Sequence, residues 1–448
     1  TPVNEGTRID TGPCQLIRKL ENQKPGGSSK GRIGRSMIAA AESEGRLKPG
    51  GTIIEATAGN TGLGLAIVAG QKGYKLKLVV PDKMAQEKIF HLRALGAEVI
   101  LTRSDVGKGH PEYYQDIAAR ICKENPDYFF ANQFANPANA SAHETTTGPE
   151  IADQLATLGL KANAIVCGVG SGGTLSGLWN YFSKTDAGTE MVLADPEGSI
   201  LANFVATGKV SKDVGSWMVE GIGEDFLPPI LDLSGVRTAY TISDGESFHT
   251  ARELLDREGL IAGSSSGTLI AAALKYCREQ TEPKTVVRFV CDSGNTYLYK
   301  MYNDFWMYDN NILEHDMKGD LRDLIARKYA EGNTVTVKPN TPLKQIYGQM
   351  KLYDISQIPV LDGDELVGLI DEEDLLLRVH DTGTFEGTAS DIMTRDLVTT
   401  DSSQDINSLL ETLKRGMTAI IMHNGRFQGL VTKLDVLNHI RLTGGAAG

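Results

Sequence analysis

The segment AIVCGVGSGGTLSGLWNYF (164–182) is the stretch of this sequence that says most about its fold. A short apolar run leads into the glycine-rich turn GVGSGGT (168–174), and a helical pattern of apolar residues follows it. Backbone N–H groups at the start of a helix bind anions, and the hydroxyls of Ser171 and Thr174 add further donors. Because the turn lacks the GxxxxGK[ST] pattern of a P-loop, it predicts a phosphate site of another kind.

A second turn of this type lies upstream, in KPGGSSKGRIGRSMIAAAES (24–43). Ser28 or Ser29 can cap the predicted helix, and Lys30 then falls in its first turn. The positive end of the helix dipole disfavours an ammonium group there and favours a neutral amine, the form that a Schiff-base lysine needs. A solvated lysine after an ordinary turn is the alternative.

A third turn, TAGNTG (57–62), follows the apolar run that begins at Ile53 and offers backbone N–H groups and hydroxyls as an anion pocket. Asn60 can direct its amide at a ring substituent, although an ordinary tight turn is the alternative. The turn at 168–174 also fits GxGxxG literally, so a nicotinamide enzyme is a rival. Asp195 is the nearest acidic candidate for a ribose, and it is not clearly placed for that role.

Short apolar runs alternate with helical patterns through most of the first two thirds of the chain. Such runs are typical of parallel strands that are buried on both faces. There are too many of them for one sheet, so we expect an α/β fold with two sheet-bearing subdomains. The runs are GTIIEA (51–56), KLKLVVP (75–81), AEVILTR (97–103), NAIVCGV (163–169), EMVLADP (190–196) and KTVVRFV (284–290), with helical patterns at 85–97 and 113–125.

The sequence changes character after residue 306. Residues 307–330 are polar and charged, as expected of a linker. An internal repeat follows at an offset of 61 residues and aligns GDELVGLIDEEDLL (363–376) with NGRFQGLVTKLDVL (424–437). Each unit predicts strand, turn, strand and helix, and we expect the two units to bury one another's apolar faces. The tail is therefore predicted to be an α+β module with one motif at 331–383 and a second at 384–443.

The composition excludes several classes of protein. Among the 448 residues, 45 Lys and Arg face 57 Asp and Glu, and this net charge of −12 disfavours nucleic acid and anionic membranes as partners. No apolar run reaches the roughly 18 residues that span a bilayer, and no signal segment opens the sequence. The five cysteines lack CxxC spacing, so neither a disulfide scaffold nor a metal site is expected. We expect a cytoplasmic, multi-domain protein.

In their order along the chain, the three glycine-rich turns resemble those of the fold type II family of pyridoxal 5′-phosphate enzymes. Within that family they resemble the branch of the cysteine synthases and cystathionine β-synthases. The stretch VEGIGEDF (219–226) is similar to one typical of cystathionine β-synthases, which often carry Tyr at the position of Glu224. The C-terminal repeats resemble the tandem CBS motifs, or Bateman module, of many such enzymes. The other matching motifs are PGGSSK (25–30), TAGNTG (57–62), NQFANPAN (132–139), HETTTGPEI (143–151), GSGGT (170–174) and AGSSSG (262–267).

The resemblance implies a catalytic core at 1–306 and a role for each matching residue. Lys30 would hold the cofactor as a Schiff base and move the Cα proton. Asn60 would hydrogen-bond the 3-oxygen of the ring, and Ser265 would meet its pyridine nitrogen. The cofactor phosphate would be held by Gly170, Ser171, Gly172, Gly173 and Thr174, and the substrate carboxylate by Thr57, Ala58, Gly59, Thr61 and Gln133.

The reaction implied is a β-replacement of the transsulfuration route. L-serine would lose its hydroxyl through an aminoacrylate intermediate, and the thiol of L-homocysteine would add to give L-cystathionine. Release of hydrogen sulfide from cysteine is an expected side activity. An O-acetylserine sulfhydrylase is the nearest alternative, and a non-catalytic regulatory protein on this scaffold is a second one. The resemblance also implies a homodimer or higher homo-oligomer, and the haem-binding extension of animal enzymes has no counterpart here, so no haem is expected.

The paired CBS motifs resemble modules that bind adenosine-containing ligands, in which a [ST]xxD element meets the ribose. Thr432 and Asp435 keep this element in the second motif, whereas Asp371 takes the hydroxyl position before Asp374 in the first. The extra carboxylate disfavours a ligand that carries phosphate, so S-adenosylmethionine is the expected adenosyl ligand. A structural role in dimer contacts is the alternative.

Overall fold

The computed structural model describes the chain apart from residues 7, 58, 83, 85, 108, 315–317 and 444–448. Ala58, which the resemblance places at the substrate carboxylate, therefore lies outside the described residues. The chain divides into two compact units, Thr1–Trp306 and Met307–Gly448.

The first unit contains two sheets, which confirms the predicted pair of sheet-bearing subdomains. Its strands are β1 (Val3–Glu5), β2 (Gln15–Leu20), β3 (Thr52–Ala56), β4 (Lys75–Pro81), β5 (Glu98–Thr102), β6 (Tyr128–Phe130), β7 (Ala164–Gly168), β8 (Glu190–Pro196), β9 (Val236–Ile242) and β10 (Thr285–Val290). The larger sheet has the order β1-β2-β10-β7-β8-β9 and is parallel except for the β1-β2 pair. The smaller sheet, β5-β4-β3-β6, is parallel throughout.

The predicted strands are the ones with continuous apolar runs. Ile53 and Ile54 of β3 are both fully buried although their side chains point to opposite faces, because helices cover both sides of the sheet. Strand β2 escaped prediction because Arg18 and Lys19 interrupt its apolar pattern, yet both side chains are buried.

The helices pack on the sheets and fix the loops between them. Helix α1 crosses α2 at two glycines, where a Cβ on Gly34 would lie 2.7 Å from the carbonyl carbon of Gly64, and one on Gly64 would collide with the carbonyl of Lys30. A π-helical turn, His143–Thr147, joins α5 to α6. The helices are α1 (Lys30–Ser43), α2 (Asn60–Lys72), α3 (Gln86–Ala94), α4 (Tyr114–Glu124), α5 (Pro137–Ala142), α6 (Gly148–Thr157), α7 (Gly173–Thr185), α8 (Leu201–Thr207), α9 (Asp244–Glu258), α10 (Ser264–Arg278) and α11 (Asp304–Asp309).

The parallel strands bring distant parts of the sequence to one edge of each sheet. Strand β3 ends at Ala56, directly before the TAGNTG turn, and β7 ends at Gly168, two residues before the first residue of the GSGGT loop. Strand β10 ends at Val290, two residues before Asp292. Loops at the carboxyl ends of parallel strands are the usual place for a ligand in an α/β fold.

The second unit contains the two predicted repeats, each built as strand, turn, strand and helix. Its strands are β11 (Gln357–Asp362), β12 (Glu365–Asp371), β13 (Thr399–Asp401), β14 (Ala419–His423) and β15 (Arg426–Val431). Its helices are α12 (Leu343–Tyr353), α13 (Glu372–Thr382), α14 (Ala389–Ile392), α15 (Ile406–Lys414) and α16 (Lys433–Thr443). Leu361 of the first repeat packs in one apolar cluster with Ile420 and Phe427 of the second, so the repeats do bury one another's apolar faces.

The polar segment before the repeats contributes to a core. Leu321, Leu324 and Ile325 are buried in one cluster with Leu409 of the second repeat. Sequence reasoning assigned these residues to the linker because acidic and basic residues surround them. In the part of the chain that the structure describes, no helix is both long and apolar enough to cross a membrane.

Candidate active site

Lys30 stands at the start of α1, as the turn pattern predicts. Of the two serines expected to cap this helix, Ser29 occupies the N-cap position without a side-chain cap, and Ser28 Oγ accepts from the Lys30 N–H at 3.4 Å. Burial lowers the pKa of the Lys30 ammonium, although Cys291 and Glu224 act in the opposite direction. Burial therefore shifts this lysine toward the neutral amine.

Asn60 begins α2 and points its amide at a buried carboxylate. Its Nδ2 donates to Asp292 Oδ2 at 2.8 Å, and the hydroxyl of Tyr297 donates to the same oxygen at 2.7 Å. Asp292 Oδ1 is buried and has no hydrogen-bond partner among the described residues. Burial raises the pKa of Asp292, and the two donors act against that rise. Asp292 thus fixes the orientation of the amide that the sequence singled out.

A charged cluster joins the two subdomains beside this pair. Lys88 of α3 donates to Glu220 Oε2 at 2.7 Å and to the hydroxyl of Tyr297 at 2.8 Å. Lys300 donates to the other oxygen of Glu220 at 2.8 Å. Burial acts to raise the pKa of Glu220, yet the two lysines bring it below its ordinary value. Glu220 is therefore neutralised by two ammonium groups.

Three glycines of the GSGGT loop pack so closely against neighbouring segments that a side chain would not fit there. A Cβ on Gly170 would lie 2.6 Å from the carbonyl oxygen of Gly221, and one on Gly173 would collide with Asn139 Oδ1. Gly172 has a φ of +86°, which favours glycine, and its Cβ would lie 2.9 Å from Leu231. Because α7 begins at Gly173, the free N–H groups of a helix start lie in this loop and can bind an anion.

Two side chains of the loop are held by the segment 139–147. Asn139 donates to Ser171 Oγ at 2.9 Å, and Thr174 Oγ1 lies 3.2 Å from His143 Nε2. Burial lowers the pKa of His143 to about 3, so its imidazole stays neutral. Both residues belong to motifs quoted above, but sequence reasoning gave neither of them a role.

The predicted carboxylate site comes together between β3 and the segment after β6. Thr57 Oγ1 accepts from the Gly59 N–H at 3.2 Å, and Thr61 Oγ1 donates to Gln133 Oε1 at 2.6 Å. Thr57, Thr61 and Gln133 are all buried, while Gly59 has a φ of +118° that turns the chain into α2. The structure therefore brings together the four described members of this predicted set.

A buried carboxyl group holds the backbone next to that site. Glu55 of β3 accepts hydrogen bonds from the N–H groups of Ala56 at 2.8 Å and Gln133 at 3.1 Å. Burial raises the pKa of Glu55 to about 8, so the group is largely protonated at neutral pH. Sequence reasoning missed Glu55 because a single acidic residue inside an apolar strand carries no pattern.

Three serines open α10, and their hydroxyls differ in their partners. Ser264 Oγ accepts from the Glu220 N–H, and Ser266 Oγ accepts from the Cys291 N–H, each at 2.9 Å. Ser265 instead forms a hydrogen bond with the Cys291 thiol, whose pKa burial raises to about 12. Ser264 and Ser266 thus bind the backbone, and Ser264 also hydrogen-bonds the Tyr297 side chain, whereas Ser265 meets the Cys291 thiol.

These residues fit a phosphorylated pyridine aldehyde. The glycine cradle at the start of α7 suits a phosphate, and the amine of Lys30, whose charged form is disfavoured by burial, suits an aldehyde. The amide of Asn60 and the hydroxyl of Ser265 suit a ring oxygen and a ring nitrogen. Within the described ranges, no cluster of three or more His, Cys, Asp or Glu side chains is arranged to hold a metal ion.

The sequence matches two known families. Residues 1–292 match the family of pyridoxal-phosphate-dependent enzymes, and residues 322–381 and 389–442 match CBS domains. Cystathionine β-synthase of Saccharomyces cerevisiae is 34% identical over a region that covers 95% of this chain and 92% of the yeast protein. The chain belongs to the cystathionine β-synthase family. It is therefore a pyridoxal-phosphate-dependent enzyme with a C-terminal CBS pair, as the motifs predict.

Other relatives of this cystathionine β-synthase family member carry different enzyme names. Cysteine synthase 1 of Neurospora crassa is 39% identical over 70% of this chain and 84% of that protein. The solved structure of an O-acetylserine-dependent cystathionine β-synthase from Helicobacter pylori is 36% identical, with a TM-score of 0.61 over 67% of this chain and 94% of that one. These relatives share the catalytic part, so they do not separate one substrate pair from another.

The predicted ligand residues of the CBS pair form helix caps. Thr432 donates through N and Oγ1 to Asp435 Oδ2, both at 2.6 Å, at the start of α16. In the first motif, the Asp374 N–H donates to Asp371 Oδ1 at 2.9 Å, and the Asp371 N–H donates to Asp374 Oδ2 at 3.0 Å. Burial, with Asp371 beside it, raises the pKa of Asp374. These elements therefore already have a structural role.

Proposed function

We propose that this enzyme condenses L-serine with L-homocysteine to give L-cystathionine and water. The observation that carries the proposal is the convergence of Lys30, Asn60 and Ser265 with the GSGGT loop and the Thr61–Gln133 pair. Relatives named cystathionine β-synthase over nearly the whole chain support the choice of substrates.

The chain holds its cofactor through groups that are far apart in sequence. Pyridoxal phosphate, when bound, supplies an electron sink for the bonds at the substrate Cα. Lys30 would hold its aldehyde carbon, Asn60 its 3-oxygen and Ser265 its pyridine nitrogen. Gly170, Ser171, Gly172, Gly173 and Thr174 would hold the phosphate. Asn139 and His143 keep the two hydroxyls of that loop in place.

Lys30 is the proton carrier in this proposal. Once the amino group of serine has displaced it from the aldehyde carbon, Lys30 would be a free amine that can accept the Cα proton, and burial lowers the pKa of its Nζ and so favours that neutral form. The same nitrogen can then deliver that proton to the departing hydroxyl, which makes water the leaving group. Helix α1 holds the lysine against α2 through the Gly34–Gly64 crossing, so the amine stays close to the Asn60 turn.

The carboxylate of serine would bind at Thr57, Gly59, Thr61 and Gln133, with Ala58 as the further member that the resemblance implies. The hydroxyl of Thr57 and the N–H groups of a helix start are suitable donors for an anion, and the Thr61 hydroxyl, which donates to Gln133, orients that side chain. Glu55 holds the Gln133 backbone and so fixes the far side of this site.

Ser265 favours elimination over other outcomes. A neutral hydroxyl does not stabilise a protonated pyridine nitrogen as a carboxylate would, so negative charge at the substrate Cα is less strongly stabilised. Prompt loss of the β-substituent is then favoured over transamination or racemisation. Release of hydrogen sulfide from cysteine follows from the same steps and is proposed as a side activity.

The proposal is tested by comparing two substrate pairs with the purified full-length enzyme. We expect serine plus homocysteine to give a higher kcat/KM for product formation than O-acetylserine plus sulfide. The reverse order would identify an O-acetylserine sulfhydrylase, and no turnover with either pair, together with no absorbance band from bound cofactor, would support a non-catalytic protein.

We propose S-adenosylmethionine as the ligand of the CBS pair, at Thr432 and Asp435 with a contribution from Asp374. Family membership supports an adenosyl ligand, and the Asp371–Asp374 pair disfavours one with phosphate. Isothermal titration should show binding that Asp435→Ala weakens at least about tenfold. No heat and no thermal shift at millimolar ligand would leave the pair as a structural module.

We also propose a cytoplasmic homodimer or higher homo-oligomer, with domains at 1–306, 331–383 and 384–443 and a linker at 307–330. Helices α13 and α16 expose Leu376, Leu377, Leu434 and Leu437, and large exposed apolar side chains of this kind support a contact between copies. Light scattering of the full chain after gel filtration would give the number of copies, and a monomer would contradict this part of the proposal.

A further inference from the structure

Two half-buried phenylalanine rings from distant segments meet in the catalytic unit. The ring centroids of Phe134 and Phe226 lie 5.7 Å apart, and the ring planes are tilted by 50°. Aromatic rings attract one another at this distance and angle. The proposed reaction gives neither ring a role, although each belongs to a segment that builds the site.

Phe134 is carried by the segment that forms the carboxylate site. It directly follows Gln133, whose N–H donates to Glu55 Oε2 at 3.1 Å. The turn that carries the ring is closed by a hydrogen bond of 3.0 Å from the Ala135 N–H to the Asn132 carbonyl. The backbone of Phe134 is therefore fixed by contacts next to the carboxylate site.

Phe226 is carried by the loop that packs on the phosphate cradle. The Gly223 N–H donates to the carbonyl of Val169 at 2.8 Å, directly before the GSGGT loop. The Glu224 N–H donates to Ser199 Oγ at 3.1 Å, and Phe226 follows two residues later. The contact between the two rings therefore bridges the carboxylate site and the loop on the cradle.

A cleft that opens too early allows a competing reaction of serine. After serine has lost its Cα proton and its hydroxyl, the dehydrated three-carbon unit either gains the thiol or leaves as a free enamine. The free enamine takes up the water that the first step released and gives pyruvate and ammonia. Retention of this unit in a closed cleft therefore decides between the two outcomes.

We propose that the Phe134–Phe226 contact is a specificity-determining element that keeps the dehydrated unit in the cleft until the thiol adds. This inference rests on the proposed function, because it concerns the outcome of the same reaction. Separation of the two rings exposes apolar surface to water, so their contact favours the closed arrangement of the two segments. The contact thereby favours β-replacement over the formation of pyruvate.

The test measures pyruvate and cystathionine together in the full-length holoenzyme, with saturating serine and a fixed concentration of homocysteine. Phe226→Ala removes one ring without altering the segment of Gln133. The ratio of pyruvate to cystathionine should rise about fivefold or more, while the KM for serine stays within about threefold of wild type. Phe134→Ala should raise the ratio by a similar factor.

The double variant tests whether the two rings act as a pair. Because either single variant already removes the contact, Phe134→Ala with Phe226→Ala should exceed the larger single effect by no more than about twofold. Independent rings would instead multiply their effects. Phe226→Leu keeps an apolar side chain at lower risk to folding, and it should give a ratio between those of the wild type and Phe226→Ala.

Fluorescence of the bound cofactor supplies a readout that does not depend on turnover. Without substrate, the constant for quenching by acrylamide should rise about twofold or more in both alanine variants. Tyr347→Ala is the matched control, since it removes a ring from the Tyr347–Phe385 pair of the second unit, whose centroids lie 5.1 Å apart. It should keep the wild-type product ratio and quenching constant.

The inference is overturned if either alanine variant keeps the wild-type product ratio, if the two effects multiply, or if Tyr347→Ala raises the ratio equally. These measurements also separate the inference from the proposed function. If the wild type makes no cystathionine from serine and homocysteine, the proposed reaction is wrong, and the quenching measurement still decides whether the rings shield the cofactor. If cystathionine forms with the same ratio in all variants, the proposed reaction stands and the inference fails.

Discussion

The catalytic unit and the CBS pair both place polar groups where a strand or loop leads into a helix, but they hold them in opposite ways. In the catalytic cleft the partners are distant, since Asn60 is held by Asp292, 232 residues away. In the CBS pair the partners are local, since Thr432 is held by Asp435, three residues away. A substitution in the cleft should therefore alter a site built from several segments, whereas one in the repeats should alter a single helix end.

The largest effect is expected at Lys30, which belongs to the cleft that is built from distant segments. Lys30→Ala removes the group that holds the cofactor and carries the proton, so turnover should fall by a factor of more than about 100. The protein should remain folded and retain cofactor without a covalent link, because the phosphate cradle is intact. Steady-state assays measure turnover, and the absorbance spectrum measures bound cofactor. Lys24→Ala is the matched control and should keep most activity; more than a hundredth of wild-type turnover in Lys30→Ala would contradict the assignment.

A smaller but specific effect is expected at Ser265. Ser265→Asp adds a carboxylate at the position assigned to the pyridine nitrogen and favours its protonation by charge pairing. Cystathionine formation should fall at least about tenfold, and side reactions at Cα should rise. Ser265→Ala is the control, since it removes the hydroxyl without adding charge and should cost less. Unchanged cystathionine formation in Ser265→Asp would show that Ser265 is not the partner of the ring.

The two regions also differ in how far the sequence predicts them. The strands with continuous apolar runs and the three glycine-rich turns are local patterns, so their positions follow from the sequence to within a residue or two. The same holds for the repeat that contains Asp371 and Asp374. Single charged residues whose partners lie in other segments have no local sequence pattern that predicts their contacts. Examples are Asp292, Glu55 and Lys88. Strand β2 was not predicted for the same reason, because the partners that allow Arg18 to be buried lie elsewhere in the fold.

Buried Glu55 gives a prediction about stability rather than turnover. Its pKa is about 8 in the folded protein against an ordinary 4.5, so the unfolded chain releases this proton at a lower pH than the folded one. This group therefore makes stability fall as pH rises from about 4.5 to about 8, by at most about 1.4 kcal/mol per pH unit. Glu55→Gln should flatten that fall in chemical unfolding measured across the range.

The matched control for Glu55 is a half-buried carboxylate, Glu42. The pKa of Glu42 is lowered by its hydrogen bonds to Lys72 and Tyr74, which is the opposite direction, so Glu42→Gln should leave the fall between pH 4.5 and 8 in place. An equally steep fall in Glu55→Gln and the parent enzyme would show that Glu55 is ionised in the folded protein.

The smallest effects are expected in the repeats, where the polar partners are local. Thr432→Ala removes the hydroxyl that donates to Asp435 and should destabilise the second unit by about 1 kcal/mol, the usual cost of a lost N-cap. Thr432→Ser keeps the hydroxyl and should be nearly neutral. Asp371→Ala should cost a similar amount in the first repeat, because its capping box with Asp374 has the same form.

The kinetics of these cap variants decide whether the tail elements act only locally. If Thr432 and Asp371 serve their own helices alone, thermal unfolding of the second unit should shift while kcat and the KM for serine stay within about twofold of wild type. Hydrogen exchange should then increase only near the starts of α16 and α13. A larger change of kcat in Thr432→Ala, with none in Thr432→Ser, would show that this helix start affects the catalytic cleft. The contrast between local and distant partners would then no longer separate the two units.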